Sequence, residues 1–191
     1  MPCLNRSQRT RLLGWSAKKF QNAKDCLEQI RYVRTETIAR GAGRPDSFLA
    51  LTDKAFSYLK KLRIQPNRLH GSFEHHCSIL DLAQHYEFAG YDTQVLAELP
   101  GGLIVDLLCT YGNKTVAVEV VCSDNLHRDA RKAEQLTERV DQILFVSTTL
   151  DLHRHYAAKL PDLVSPSIRR MLAFAQRDQL LAHPGDTEEG L

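Results

Sequence analysis

Two carboxylates lie in the middle of two neighbouring apolar segments of the sequence. Asp106 is in LIVDLLCTY and Glu119 is in TVAVEVVC, and a short Tyr-Gly-Asn turn separates the segments. Side chains alternate between the faces of a strand, so one carboxylate from each of two adjacent strands can reach the same point. Carboxylate oxygens are preferred ligands of Mg²⁺, whereas a buried pair without a cation would force one acid to be neutral. The pattern predicts a divalent metal site, or the remnant of one.

Regular elements flank this pair of acids on both sides. Helical periodicity predicts a helix over 72–88, and Pro-Gly-Gly and Tyr-Gly-Asn connections favour three antiparallel strands after it. These strands are predicted at Thr93–Leu99, Leu103–Thr110 and Lys114–Cys122. A helix at about 125–139, a strand at Gln142–Ser147 and helices at about 151–160 and 166–181 are expected to follow. The predicted order is αβββαβ with further helices at the carboxyl terminus.

This order, with Asp in the second strand and Glu in the third, resembles the core of the PD-(D/E)xK nuclease superfamily. The resemblance implies that Asp106 and Glu119 bind Mg²⁺ and act in catalysis. The lysine of the motif, two residues after the Glu, corresponds to Val121 in this sequence. Lys132, on the following predicted helix, could point back to the site, as in relocated versions of the motif. The resemblance therefore implies either a metal-dependent DNA endonuclease or a nuclease-like domain without catalysis.

Charge divides the chain into a basic part and an acidic part. Residues 1–70 contain 15 Lys and Arg against 5 Asp and Glu, whereas residues 71–191 contain 10 against 18. Such a division predicts two modules with different partners, and the basic module is a candidate for binding a polyanion such as nucleic acid. A basic face that only contacts water is the alternative.

The basic module has a recognisable order of elements. A basic helix over 5–13 is followed by a helix from Ala17 to Val33 with Ser16 as its N-cap, and Thr52 begins another helix after a Gly/Pro/Arg loop. The segment ARGAGRPDSFLALTDKAFSYLKKL resembles the wing and closing helix of winged helix-turn-helix proteins, and the resemblance covers about residues 5–63. The usual first helix is missing or much reduced.

Side chains of the second helix and the wing are suited to double-stranded DNA. Lysines bind phosphates, and amide side chains read base edges when a helix lies in the major groove. Arginines on the glycine-rich hairpin can reach the backbone or the minor groove. The predicted DNA-binding residues are Lys18, Lys19, Gln21, Asn22 and Lys24 on the helix and Arg40 and Arg44 on the wing. A winged helix that contacts protein instead remains an alternative.

A second resemblance concerns the host system. The fragments VAVEVVCSDN and RKAEQLTERVDQILFVSTT resemble nuclease-like domains of plasmid and integrative-element proteins, in which a winged helix precedes the nuclease-like fold. This resemblance implies a role on a mobile genetic element, with a DNA-translocating ATPase or other mobile-element proteins as partners. A homodimer is compatible with DNA binding, and the sequence does not determine the oligomeric state.

The domain boundaries and the cellular location follow from composition. A winged-helix domain is predicted at 1–65, a PD-(D/E)xK-like domain at 72–182, and a disordered tail at 183–191. No apolar run approaches the roughly 20 residues that span a membrane, so no membrane partner is expected. Five cysteines without paired spacing predict reduced thiols and a cytoplasmic protein.

Three functions are compatible with these observations. The first is a DNA-binding protein of a mobile element or DNA-processing system, with the nuclease-like domain used for assembly or recruitment. The second is an Mg²⁺-dependent endonuclease that its own winged helix directs to DNA. The third is a protein-interaction subunit that binds no DNA. Val121 favours the first over the second, and the charge division favours both over the third.

Overall fold

The computed structural model describes residues 6–38, 46–64 and 71–182. The chain forms two compact units, Met1–Cys77 and Ser78–Leu191. The predicted wing residues Arg40 and Arg44 and the predicted tail at 183–191 lie outside the described residues.

The first unit contains three helices and a two-stranded antiparallel sheet. Its elements are α1 (Arg6–Leu13), α2 (Ala17–Gln29), β1 (Val33–Ile38), β2 (Asp46–Leu51) and α3 (Asp53–Lys61). The predicted N-caps are confirmed, because Ser16 Oγ accepts from Lys19 N at 3.2 Å and Thr52 Oγ1 accepts from Ala55 N at 3.3 Å. The prediction that α2 continues to Val33 is wrong. Arg31 adopts a left-handed φ of 59°, which ends the helix before β1.

Apolar side chains of these elements are buried. Phe20 of α2, Phe48 of β2 and Ala55 of α3 are all buried, as is Ile38 at the end of β1. β1 and β2 pair from Val33 opposite Leu51 to Ile38 opposite Asp46. The winged-helix family remains a prediction.

The second unit is a mixed α/β structure built on a five-stranded sheet. Helix α4 (Phe73–Phe88), which begins in the first unit, precedes β3 (Asp92–Leu99), β4 (Leu103–Tyr111), β5 (Lys114–Val121), α5 (Leu126–Leu136) and β6 (Gln142–Ser147). Then come α6 (Leu150–Lys159), a 3₁₀ turn at Leu160–Leu163, α7 (Pro166–Arg169), β7 (Leu172–Gln176) and α8 (Arg177–Ala182). The strand order is β3-β4-β5-β6-β7. β3, β4 and β5 are antiparallel neighbours, and β5, β6 and β7 are parallel neighbours.

The prediction of one helix over 166–181 is wrong. This segment contains the short helix α7, the strand β7 and the start of α8. β7 pairs in parallel with β6, from Leu172 opposite Ile143 to Gln176 opposite Ser147. β6 is buried on both faces. If a helix stood in place of β7, the backbone N–H and C=O groups of β6 that now pair with β7 would have no partners.

Helices cover both faces of the central strand β5. Val116, Val118 and Val120 pack in the cluster that contains residues of α4, whereas Ala117 and Val121 pack with residues of α5 and α6. A strand buried on both faces is expected to be a continuous apolar run. Glu119 interrupts that run on the face covered by α5.

Two further findings concern membrane-spanning helices and the oxidation state of the cysteines. None of the described helices is long and apolar enough to cross a membrane. Cys26, Cys109 and Cys122 are not joined in disulfides. The prediction of reduced cysteines is wrong for Cys77, which is disulfide-bonded.

Candidate functional site

The two predicted acids lie where β4 and β5 separate. The last backbone pair between these strands joins Leu107 to Val118, and Asp106 and Glu119 are the next residue of each strand beyond it. The N–H of Val120 donates to Oδ2 of Asp106 at 2.8 Å. The Asp106 side chain thus takes the place of a backbone acceptor and holds the strands at the start of a gap.

Glu119 borders this gap with one satisfied and one unsatisfied oxygen. Its Oε2 accepts from Nζ of Lys132 at 2.6 Å. Its Oε1 is buried and has no hydrogen-bond partner. Glu119 is only 7% exposed, so this oxygen is shielded from bulk water. A buried oxygen without a partner is costly and marks a position where a further donor or a cation would bind.

Burial is the main cause of an unusual acidity at Glu119. Removal from water and, after it, the nearby charge of Asp106 raise the pKa of Glu119 to about 8, while Lys132 acts in the opposite direction. Asp129 of α5 adds a smaller repulsion. A cation bound beside Glu119 would offset the repulsion from Asp106.

Helix α5 brings Lys132 to Glu119. Its apolar side, with Ala130, Ala133 and Leu136, packs onto the sheet and places the helix over β5. Lys132 lies beside that side, with 22% of its side chain exposed. Asp106, Glu119 and Lys132, predicted from positions spread over 27 residues, are therefore brought to one site. Their catalytic role stays a prediction.

Val121 occupies the position that corresponds to the lysine of the motif, and it belongs to the core. The residue is 4% exposed and packs in the cluster that contains Ala130 and Ala133. Strand alternation puts Val121 on the same face as Glu119, but α5 covers that face at residue 121. A lysine there would have its ammonium group among apolar side chains, whereas Lys132 approaches from the helix.

Sequence reasoning missed two polar residues beside the site. Tyr156 of α6 is fully buried, and its hydroxyl donates to Oδ2 of Asp129 at 2.7 Å and accepts from the N–H of Asn125 at 2.9 Å. Burial and the hydrogen bond to Asp129 raise the pKa of the Tyr156 phenol. Asp129 falls on the buried side of α5 next to Ala130, and the helical phase of Ala130, Ala133 and Leu136 was the signal that could have shown its burial.

Asp106 and Glu119 are the two carboxylates that could contribute to a metal site here. Within the described residues, no three His, Cys, Asp or Glu side chains form a group that could hold a metal ion. Mg²⁺ is commonly bound by one or two carboxylates, with water and substrate phosphate completing its coordination. Asp106 and Glu119 would supply the carboxylates, and the unpaired Oε1 of Glu119 is a suitable donor.

The predicted DNA-binding residues of α2 differ in their surroundings. Lys18 and Asn22 are exposed and lie one turn apart, and Lys19 is exposed with its Nζ 4.8 Å from the centre of the Trp15 ring. Two other side chains are engaged within the helix. Gln21 donates to Asp25 at 2.6 Å, and Lys24 forms an ion pair with Glu28 at 3.3 Å. The surface of α2 around Lys18 is therefore the most open to a ligand.

Comparison with known proteins does not assign the chain to a family. No family model matches the sequence, and no curated protein matches it significantly.

Proposed function

We propose that this chain is a DNA-processing protein in which the first unit binds double-stranded DNA and the second is a metal-dependent endonuclease. The observation that carries the proposal is the buried, unpaired Oε1 of Glu119 at the gap between β4 and β5. The sequence favoured a nuclease-like domain without catalysis, because Val121 stands where the motif has a lysine. In the structure Lys132 supplies an ammonium group at the acids instead.

The residues of the site have separate roles in this proposal. A bound Mg²⁺ would supply Lewis-acid chemistry at a phosphodiester and lower the pKa of a coordinated water. Asp106 and Glu119 would hold the cation, and the Val120 N–H fixes the orientation of Asp106. Lys132 is within reach of Glu119 and stabilises negative charge that develops at the phosphate.

Cleavage of supercoiled, linear and branched DNA tests the proposal. We expect the wild-type chain to cut in the presence of Mg²⁺ or Mn²⁺ and to be inactive in EDTA. Asp106→Ala and Glu119→Ala should each abolish cutting, whereas Glu138→Ala, which removes an exposed acid after α5, should not. Activity that survives Glu119→Ala would contradict the proposal.

A second candidate is a DNA-binding protein whose second unit serves in assembly or recruitment. The ion pair between Lys132 and Glu119 favours it, because the ammonium group partly neutralises the buried acid without a metal. Binding of duplex DNA with no cleavage of any substrate in Mg²⁺ or Mn²⁺ would select this candidate. A chain that binds no DNA would instead indicate the protein-interaction subunit.

The host system and its partners rest on resemblance alone. The proposal also includes a mobile-element role and a DNA-translocating ATPase as partner. It further includes a homodimer and a cytoplasmic location. The support for all four comes from sequence patterns. Co-purification of the chain with an ATPase from a mobile element would support the first two.

A further inference from the structure

The acidic second unit carries a concentrated group of positive charges next to its acidic site. Of the ten Lys and Arg residues in 71–191, three lie within the five residues 128–132. All three are in α5, the helix that delivers Lys132 to Glu119. In a segment whose net charge is negative, this concentration is a feature that the fold alone does not require.

Helical geometry places these cations along one strip of surface. Positions three and four residues apart are neighbours on a helix, so Arg131 and Lys132 both flank Arg128. Arg128 and Arg131 are exposed, whereas Lys132 is turned inward to Glu119. We call Arg128 and Arg131 the arginine strip.

The contacts of the two arginines hold them on the surface. Arg128 Nε lies 3.3 Å from Oδ1 of Asp129, and 72% of its side chain is exposed. Arg131 Nε donates to the carbonyl oxygen of His127 at 3.2 Å, which directs its guanidinium toward the start of α5 and Arg128. Two guanidinium groups are thus presented close together, and guanidinium groups bind phosphate in a fork geometry.

The position of the strip matches the side of the sheet on which the acids lie. α5 begins after the carboxyl end of β5, and ligands of open α/β sheets bind outside the carboxyl ends of the strands. The carboxylates of the site repel a phosphate backbone by themselves. A polyanion therefore needs nearby cations to approach Glu119, and the arginine strip supplies them.

We propose that Arg128 and Arg131 bind backbone phosphates of the DNA strand that lies across the Asp106–Glu119 gap. This inference rests on the proposed function for the choice of DNA as the ligand. The first unit binds duplex DNA elsewhere on the chain, and the strip is a second contact that aligns the substrate at the acids.

Fluorescence anisotropy with a short duplex in EDTA tests the strip without any cleavage. Lys18 and Lys19 are also replaced by alanine in all proteins compared, so that contacts of the first unit do not mask the strip. We expect Arg128→Ala with Arg131→Ala to weaken binding about tenfold and to lower the slope of log affinity against log salt by about 2, because each lost phosphate contact lowers it by about 1. Arg128→Lys with Arg131→Lys should retain most of the slope.

The control removes two cations near the opposite ends of the strands of the same sheet. Lys159 at the end of α6 and Arg170 before β7 are exposed, and both lie toward the amino ends of the parallel strands. Lys159→Ala with Arg170→Ala makes the same change of net charge and should leave affinity and slope unchanged. An unchanged slope in the arginine-strip variant, or an equal loss in the control, overturns the inference.

The outcome separates this inference from the proposed nuclease activity. Loss of affinity in the arginine-strip variant, together with a wild-type chain that cuts no DNA, supports the strip and contradicts the nuclease. Cleavage that depends on Glu119 with no effect of the strip on binding supports the nuclease and contradicts the strip. Thermal unfolding at the wild-type temperature confirms that the variants are folded.

Discussion

Nζ of Lys132 lies 2.6 Å from Oε2 of Glu119, across 13 residues of sequence and from a different element of the fold. The other oxygen of the same carboxylate is buried without a partner. This pair explains how a site can contain a lysine although Val121 occupies the position where the motif has one.

Replacement of Lys132 should affect cleavage more than folding. Lys132→Met removes the ammonium group, and we expect cleavage to fall by roughly 100-fold or more because charge at the phosphate is no longer stabilised. Lys132→Arg should retain part of the activity, since the positive charge remains. Single-turnover cleavage measures the effect, and full activity of Lys132→Met would show that the lysine has no catalytic role.

A lysine at position 121 should damage the protein instead of improving it. Val121 is 4% exposed, so Val121→Lys places a charge in the apolar cluster, and the free energy of unfolding should fall by about 3–5 kcal/mol. Val121→Ile, a control that keeps the site apolar, should change it by less than about 1.5 kcal/mol. Urea unfolding measures both. A stable Val121→Lys variant with higher nuclease activity would contradict the position given to Val121.

Glu119 should make stability depend on pH. Burial raises its pKa to about 8 from an ordinary value of 4.5, so between these pH values the folded state holds a proton that the unfolded state has lost. The contribution to the free energy of unfolding is therefore fully present below pH 4.5 and is lost as pH rises through 8. Urea unfolding of the metal-free chain from pH 5 to 9 should show this decline, and Glu119→Gln should remove it.

The same acidity should make metal affinity increase with pH. Binding of Mn²⁺ requires the ionised carboxylate, so each proton displaced makes affinity rise by up to about tenfold per pH unit below the pKa of Glu119. Calorimetric titration with Mn²⁺ from pH 6 to 9 measures the slope, which should level off above about 8. An affinity that does not change with pH would exclude Glu119 as a ligand.

The Asp106 side chain accepts a hydrogen bond and carries a negative charge. An amide can accept the same hydrogen bond but has no charge. Asp106→Asn retains a side-chain oxygen that can accept from the Val120 N–H, so the free energy of unfolding should change little. Asp106→Ala leaves that N–H without the carboxylate and should cost about 1–3 kcal/mol. Both variants should lose Mn²⁺ binding. If Asp106→Asn still binds Mn²⁺, the charge of Asp106 is not needed for metal binding.

Different parts of the chain were predictable to different degrees. Glycine turns and apolar alternation predicted β3, β4 and β5 within two residues, because each strand is delimited by local turn chemistry. The segment LAFAQ in β7 was predicted as helix, since short apolar runs do not distinguish the two structures and only its pairing with β6 makes it a strand. The site acids were found because a charge inside an apolar strand is a local signal.

Spacing and composition along the chain were sufficient to predict the elements around the site, the two acids and the division into a basic and an acidic part. These depend on spacing along the chain and on composition, which are properties of neighbouring residues. The contact of Lys132 with Glu119, the burial of Val121 and the hydrogen bond from Tyr156 to Asp129 became known only from the folded chain. Those relations arise where α5 and α6 pack on the sheet, and packing joins residues whose separation in sequence carries no information about their contact.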